Sequence, residues 1–413
     1  MTGLLSAEHP ASHPELEAAC AAALVGLPGM TPVRLAKVLS DLDPVRAWQA
    51  LACGRHPADR QGRFRIAARN TDPRIVAEEY DRAGVTVHLP SSPGYPTTLR
   101  NDPGAPAVLF SRGTPSAIEG RPRVAIVGTR SATAYGLQMA SELGRDLAAT
   151  GVVVVSGLAL GIDGAAHAGA LRTRRDDPAP PVAVVGTGLD VVYPKTNETL
   201  WREVEERGVV FSEAALGTTP RSRVFPARNR IIAALSDVVV VVECQLGGGA
   251  LYTAEAAARR SIPVCAVPGS VRSPASAGTN GLLVDGCTPV RDVDDILTAV
   301  ALARCGRDAP NPATQSSTFV AAKGRDRSHN ESAISSPPTR STRGTRAVPP
   351  TRAAPSTRSA ASTRSAPSTR PGSSGPGAVQ QSFDQVELGD DPRAVLAALE
   401  SSPTTMDTIL RRT

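Results

Sequence analysis

The chain has 413 residues, of which 41% are hydrophobic and only 3% aromatic. This length suggests two or three domains, and no apolar run reaches the roughly 20 residues that a membrane-spanning helix needs. The net charge of +6 arises in one stretch: residues 323–370 carry ten basic and two acidic side chains, a net +8, so the remainder carries 6 − 8 = −2.

The N-terminus has no basic segment followed by an apolar core, so no signal peptide is predicted. The six cysteines are dispersed without a C-x-x-C pair, which argues against a disulfide framework or a zinc site. A cytoplasmic location in a reducing environment is therefore expected.

Residues 1–85 are predicted to form a helical domain. Residues 15–27 and 28–42 have the pattern of two helices, joined through the turn L-P-G-M-T. This pattern fits a helix-hairpin-helix (SAM-like) unit, whose turn amides can bind a DNA phosphate, and equally an ordinary helical hairpin. The proline-rich segment 91–110 is predicted to be an irregular strap without regular secondary structure.

From Arg123 onwards, valine-rich runs alternate with helical stretches. The six predicted strands are 124–128, 152–157, 182–186, 209–213, 237–243 and 264–269. The predicted helices between them are 135–150, 164–173, 197–207, 228–236 and 253–260. Such alternation is typical of a parallel sheet covered on both faces. We therefore predict an α/β fold with a Rossmann-like, doubly wound, mostly parallel sheet over residues 86–305.

The remaining residues have a different composition. Residues 306–382 are rich in Pro, Ser, Thr and Arg, and a Thr-Arg pair recurs every six residues between 345 and 370. This segment is predicted to be a disordered linker, and loose contact of its arginines with nucleic acid is the alternative. Residues 383–413 contain two helical patterns, and we expect the start of a winged-helix-like domain without its recognition helix.

A ligand of a doubly wound sheet binds at the carboxyl ends of the strands. The first strand is followed by G-T-R-S, which places Arg130 where a dinucleotide-binding G-x-G-x-x-G sequence would have its second glycine. Lys195, Arg228 and Arg230 follow other strands, so the sequence predicts an anion site at this edge.

The same edge offers few catalytic groups. His167 follows Asp163 by four residues, a pattern expected of a helix cap and a structural histidine. The sequence contains no P-loop, no nucleophile elbow and no metal-ligand spacing. We therefore expect a binding protein rather than an enzyme, with no cofactor and no metal.

Five motifs in residues 90–300 together resemble the bacterial DNA-processing protein A (DprA/Smf) family. They are V-G-T-R-x-A-T-x-Y-G, S-G-L-A-x-G-I-D-x-x-A-H, G-T-G-L-D-x-x-Y-P-K-x-N, F-P-x-R-N-R-I-I-A-x-L-S and V-P-G-S…G-T-N. The resemblance implies a protein that binds and protects incoming single-stranded DNA, shares it with single-strand-binding protein and loads RecA onto it. It also implies a role in competence, natural transformation and DNA recombination, and a homodimer.

The resemblance further implies which residues bind DNA. They are Gly128, Thr129, Arg130, Ser156, Gly157, Lys195, Asn197, Arg228, Asn229 and Arg230. Arg130 would clamp a backbone phosphate with help from the amides of Gly128 and Thr129, and one of residues 228–230 would have a structural role. Tyr135 and Tyr193 either stack on bases or pack in the core. The chain departs from the family pattern at residues 247–249, where three glycines replace a side-chain donor.

Two other interpretations remain open. Nucleotide 5'-monophosphate phosphoribohydrolases share this architecture, and the sequence ending at Glu255 loosely resembles their catalytic loop. The second is a nucleotide-sensing scaffold in which the arginine-rich residues 309–382 bind the DNA.

Overall fold

The computed structural model describes residues 13–173, 178–221 and 224–308. The predicted winged-helix-like segment and nearly all of the predicted linker lie outside these residues.

In this part of the chain the helices are α1 (His13–Gly26), α2 (Pro32–Val38), α3 (Pro44–Cys53), α4 (Arg65–Arg69), α5 (Pro73–Arg82), α6 (Thr97–Arg100), α7 (Ala134–Ala149), α8 (Ile162–Leu171), α9 (Glu198–Arg207), α10 (Val224–Ala234), α11 (Gly249–Ala258), α12 (Ala277–Val284) and α13 (Val293–Asp308). The strands are β1 (Thr86–His88), β2 (Leu109–Gly113), β3 (Arg123–Val127), β4 (Val153–Ser156), β5 (Val182–Val185), β6 (Val209–Ser212), β7 (Val238–Val241), β8 (Val264–Ala266) and β9 (Thr288–Pro289).

These strands form one sheet in the order β1-β2-β6-β5-β4-β3-β7-β8-β9. The pairs β1–β2 and β2–β6 are antiparallel, and all the other pairs are parallel. The chain proceeds from β3 to β6 on one side and then returns to β7 on the other side of β3. The carboxyl ends of β3 and β7 therefore form the topological switch point, where doubly wound sheets bind ligands.

The predicted Rossmann-like fold is confirmed. Each of the six predicted valine-rich strands corresponds to one of β3 to β8, and the five predicted helices correspond to α7 to α11. These elements could be predicted because strands buried on both faces are almost continuously apolar.

The strap prediction for residues 91–110 was wrong in part, because α6 and the start of β2 lie within it. The prolines of this segment do not prevent it from packing against the rest of the domain. Tyr95 is fully buried and its hydroxyl donates a hydrogen bond to the Pro106 carbonyl at 2.7 Å. Phe110 then pairs with Ser212 in the antiparallel β2–β6 ladder. These long-range contacts are not visible in the local sequence pattern.

Both faces of the sheet are covered. One face packs against α10 and α11, and the other against α7, α8 and α13. The N-terminal helices pack against the β2–β6 side through a continuous core, which joins Leu24 and Trp48 to Phe110 and Trp201. None of the described helices is long and apolar enough to cross a membrane.

Candidate nucleic-acid interface

A cleft of about 720 Å³ lies at the carboxyl edge of the sheet, at the switch point. Its lining includes Gly128, Thr129, Arg130, Asp163, Tyr193, Arg221, Arg228, Asn229, Gln245, Gly249 and Tyr252. Five of the ten sequence-predicted site residues are therefore gathered here, from the loop after β3 and the helix α10. The parallel pairing of β3 with β7 brings the loops that follow them to the same place.

The loop after β3 lies directly against its neighbours. A Cβ atom at Gly128 would clash with the Ile162 side chain and would lie 2.8 Å from the Glu243 carbonyl oxygen. Glycine is thus required at this position for the loop to approach β7 and α8 so closely. Arg130, two residues further along, is exposed at the cleft.

The backbone amides of this loop already have partners inside the protein. The Thr129 N–H donates to the Glu243 carbonyl at 2.7 Å. The Gly128 N–H donates to the Asp163 carboxylate, which also accepts from the Gly157 N–H. Both amides therefore have acceptors inside the protein, and the expectation that they assist Arg130 in holding a phosphate stays a prediction.

The N-terminus of α7 is also occupied. Glu243, which is 2% exposed, accepts hydrogen bonds from the Thr133 N–H and hydroxyl, both at 2.7 Å. A nucleotide phosphate binds at this helix position in dinucleotide-binding folds. Here the protein's own carboxylate takes that place. The only sequence signal for it was an acidic residue at the end of the predicted strand 237–243, and the sequence analysis did not assign that residue a role.

Arg228 is buried at the floor of the cleft. Its guanidinium donates to the carbonyl of Gly157 at 2.9 Å and to that of Val184. A Cβ atom at Gly157 would overlap the guanidinium group, so glycine is required there. Burial lowers the pKa of Arg228, and the nearby carboxylate of Asp163 opposes this shift.

Asp163 was expected to cap α8, but Gly161 is the N-cap residue. Asp163 lies in the first turn of the helix and connects the loops after β3 and β4 through the amides it binds. Burial raises the pKa of Asp163, while Arg228 and Arg130 act in the opposite direction. His167 is fully buried, and burial lowers its pKa to about 3, as expected of a neutral structural histidine.

The two residues after Arg228 have different partners. The Asn229 side-chain amide donates to the Gly249 carbonyl at 3.2 Å, on the other wall of the cleft. Arg230 forms a half-buried ion pair with Glu213 at 2.6 Å and is not among the cleft-lining residues. Burial raises the pKa of Glu213, and the charge of Arg230 lowers it.

Besides Arg230, four predicted residues lie outside the cleft. Ser156 is buried and its hydroxyl donates to the Ile126 carbonyl at 2.6 Å, and Gly157 contacts Arg228 from below. Asn197 donates to the carbonyls of Leu158 and Ala159, at 3.0 and 3.2 Å, and so fixes the loop after β4. Lys195, in the same helical turn as Asn197, is exposed and faces a separate shallow depression.

The structure adds cleft residues that the sequence analysis missed. Arg221 is exposed at the cleft, and the ring of Tyr252 is 54% exposed there. Tyr193 is 38% exposed in the same cleft rather than packed in the core. Tyr135 is exposed elsewhere, and its hydroxyl donates to the Pro268 carbonyl at 2.9 Å. Tyr252 directly precedes the predicted helix 253–260, and the structure places it on α11 (Gly249–Ala258), which begins four residues earlier than predicted.

The cleft thus combines exposed guanidinium groups with exposed aromatic rings. Within residues 13–173, 178–221 and 224–308, no group of three His, Cys, Asp or Glu side chains could hold a metal ion. Glu255, the residue of the hydrolase interpretation, forms an exposed ion pair with Arg259 at 2.5 Å. It does not line the cleft.

Comparison with known proteins gives consistent matches. The DNA recombination-mediator protein A family matches residues 86–301. A putative DNA processing protein DprA of Mycobacterium tuberculosis (strain H37Rv) is 42% identical over 210 residues, which is 50% of this chain and 53% of that protein. The DNA processing protein DprA of Bacillus subtilis is 35% identical over 224 residues, 54% of this chain and 74% of that protein. This chain therefore spans about half the length of the mycobacterial relative.

A solved structure is also similar. The X-ray structure of DNA processing protein A from Streptococcus pneumoniae is 31% identical, with a TM-score of 0.57. The match covers 67% of this chain and 95% of the pneumococcal one.

Proposed function

The chain belongs to the DNA recombination-mediator protein A family, and from that premise we propose that it binds single-stranded DNA in the cleft. The observation that carries the proposal is the combination in one cleft of exposed guanidinium groups, Arg130 and Arg221, with exposed rings, Tyr193 and Tyr252. Cations neutralise backbone phosphates, and aromatic rings stack on unpaired bases of any sequence.

The predicted site residues divide into two groups in this proposal. Arg130 and Asn229 contact the strand directly, and Lys195 extends the contact along the strand beyond the cleft. The other predicted residues shape the cleft through the bonds described above: Gly128, Thr129, Ser156, Gly157, Asn197, Arg228 and Arg230. Arg130 remains the central ligand, as the sequence motif indicates.

Hydrolysis of a nucleotide is less well supported. The N-terminus of α7 is occupied by Glu243, and the candidate catalytic Glu255 lies outside the cleft. We therefore propose a binding protein without enzymatic activity. Release of ribose 5-phosphate from AMP by the purified chain would contradict this.

The finer role is proposed on the family's description as a recombination mediator. The protein would protect incoming single strands, share them with single-strand-binding protein and load RecA onto them during transformation and recombination, acting as a cytoplasmic homodimer. RecA filament formation on strands covered by single-strand-binding protein should accelerate when the chain is added. Sedimentation of the chain alone tests the dimer, and a monomer at micromolar concentration would contradict it.

Photochemical cross-linking tests where the strand binds. Oligonucleotides carrying 5-iodouracil would be cross-linked to the full chain, and the modified peptides identified by mass spectrometry. We expect modification at Tyr193 and Tyr252 and none at Tyr135, which is exposed outside the cleft and serves as an internal control. Cross-links confined to residues 309–382 would instead favour binding by the arginine-rich segment.

A further inference from the structure

A second basic surface lies on the N-terminal helices, in a groove of about 370 Å³. Four exposed cations line it, Arg34, Lys37, Arg60 and Arg63, and we call it the basic groove. None of its lining residues is shared with the cleft. The motifs of the family lie elsewhere in the chain.

The local sequence explains how the groove forms. Arg34 and Lys37 are three residues apart on α2 and so share one face, while Leu35 and Val38 are buried behind them. The loop before α4 is held against the end of α2 by His56. This ring accepts from the Ala58 N–H at 3.1 Å and therefore donates its other N–H to the Val38 carbonyl at 3.0 Å.

The one acidic residue of the groove is already bound. Asp59 is buried, and its two carboxylate oxygens accept from the backbone N–H groups of Arg63 and Phe64 at 2.9 and 3.0 Å. These bonds fix the turn that presents Arg60 and Arg63. Both carboxylate oxygens of Asp59 thus have a backbone donor, and neither forms an ion pair with a cation of the groove.

The cations of the groove have no counterion among the residues that the structure describes. The side chains of Lys37, Arg60 and Arg63 form no ion pair or hydrogen bond with any described residue, and Arg34 donates one N–H to the Gly29 carbonyl at 2.6 Å. Residues 13–85 contain ten basic and nine acidic side chains, a net +1. The groove is therefore a local concentration of positive charge in a nearly neutral region, and an external anion can supply the missing counter-charge.

The lining indicates which anion fits. Phe64 is the groove's aromatic residue, and it is buried at 4% exposure, so the groove offers no ring for stacking on an unpaired base. Four separate cations along one groove match a ligand with repeated negative charges, such as a phosphodiester backbone. We propose that the basic groove is a second DNA contact, which binds the sugar-phosphate backbone independently of the cleft and without reading sequence.

The test compares two charge-matched variants of the full chain. The groove variant carries Lys37→Gln, Arg60→Gln and Arg63→Gln. The control carries Arg55→Gln, Arg74→Gln and Arg82→Gln, which are exposed in the same helical region but do not line the groove. Binding of an oligothymidylate and of a duplex is measured across a salt series, and thermal unfolding confirms that both variants fold.

The groove variant should bind DNA more weakly than the wild type. Each lost phosphate contact lowers the log–log salt slope by roughly 0.7 on single strands and 0.9 on duplex. Loss of three contacts should therefore lower the slope by about 2 on single strands or about 3 on duplex. Single variants at Lys37 or Arg60 should each lower the slope by about a third of this amount. The DNA form that responds identifies whether the groove holds a single strand or a duplex. The control should bind like the wild type.

Equal affinity and slope for wild type and groove variant on both DNA forms would overturn the proposal. Arg130→Ala in the same series separates the two sites. If only the groove variant loses affinity, the basic groove is a DNA contact and the proposed cleft function fails. If only Arg130→Ala loses affinity, the cleft function stands and the groove proposal fails.

Discussion

At the scale of single residues, Arg130 and Arg228 are both part of the cleft and yet have different roles. Arg130 is exposed at its surface, whereas Arg228 is 7% exposed and donates to two backbone carbonyls. Asp163 lies close to both guanidinium groups. Removing the buried guanidinium leaves these carbonyls without their donor and takes a positive charge away from the buried Asp163 carboxylate.

Arg228→Met should therefore destabilise the fold. We expect the free energy of unfolding to fall by about 3–5 kcal/mol, because two buried carbonyls lose a charged donor and a buried carboxylate loses a nearby cation. Arg130→Met removes an exposed side chain and should change it by less than about 0.5 kcal/mol. Urea denaturation of both variants measures the difference, and equal stability of the two would contradict the assigned roles.

Tyr252 gives a second test at this scale. Tyr252→Ala should weaken binding of an oligothymidylate by about 1–3 kcal/mol, because a stacking ring is lost, while Tyr252→Phe keeps the ring and most of the affinity. Tyr135→Ala, outside the cleft, is the matched control and should bind like the wild type. A Phe variant as weak as the Ala variant would show that the ring does not stack.

The sequence motifs identified Arg130 and the R-N-R run but not the division of roles among them. Arg228 and Arg230 look alike in the sequence, and only the fold places one under the cleft and the other against Glu213. Tyr252 and Arg221 were missed for the same reason. Tyr252 lies on α11 and Arg221 in the loop before α10, and tertiary packing determines which of their side chains reach the cleft.

At the scale of elements, the strands that could be predicted are those buried on both faces. The sequence analysis missed three strands, β1, β2 and β9, because each is short or lies at the margin of the sheet. Their pairing partners are also distant in the sequence, as β6 is from β2. The position of the switch point followed from the alternation of strands and helices. The contact of Glu243 with the N-terminus of α7 could not be predicted in this way, because Glu243 and Thr133 are more than a hundred residues apart in the sequence.

Glu243→Ala should destabilise the connection between β7 and α7. The N–H and hydroxyl of the exposed Thr133 would lose their bonds to a buried carboxylate, and the loss of hydrogen bonds to a charged group costs roughly 1–3 kcal/mol in the free energy of unfolding. Glu243→Gln keeps an oxygen acceptor there and should cost less. Chemical denaturation distinguishes the two, and an Ala variant as stable as the wild type would refute this role of Glu243.

At the scale of the whole molecule, net charge does not locate the two proposed binding surfaces. The positive charge of the chain is concentrated in residues 323–370, while the rest of the chain carries −2. The cleft and the basic groove are local clusters within that remainder. Their cations were visible in the sequence, but only the fold shows that Arg34 and Lys37 face Arg60 and Arg63.

Stability of the whole chain should fall in mild acid. Burial lowers the pKa of His88 to about 4 and of His167 to about 3, from an ordinary value of 6.5. As the pH falls below 6.5, both histidines become protonated in the unfolded chain while they are still neutral in the folded chain. Each histidine therefore lowers the free energy of unfolding by up to about 1.4 kcal/mol per pH unit.

The loss contributed by His88 is complete near pH 4 and that by His167 near pH 3, where the folded forms are protonated too. Urea denaturation between these limits and pH 6.5 measures the slope. His167→Asn should flatten it by the contribution of one histidine, and an unchanged slope would contradict a neutral buried His167.

The central claim is that Arg130 holds a phosphate of single-stranded DNA in the cleft. The most direct measurement is oligothymidylate binding across a salt series for the wild type, Arg130→Ala and the exposed control Arg172→Ala. We predict that Arg130→Ala binds more weakly, with a log–log salt slope lower by about 0.7, while the control matches the wild type. Wild-type affinity and an unchanged slope for Arg130→Ala would contradict the account.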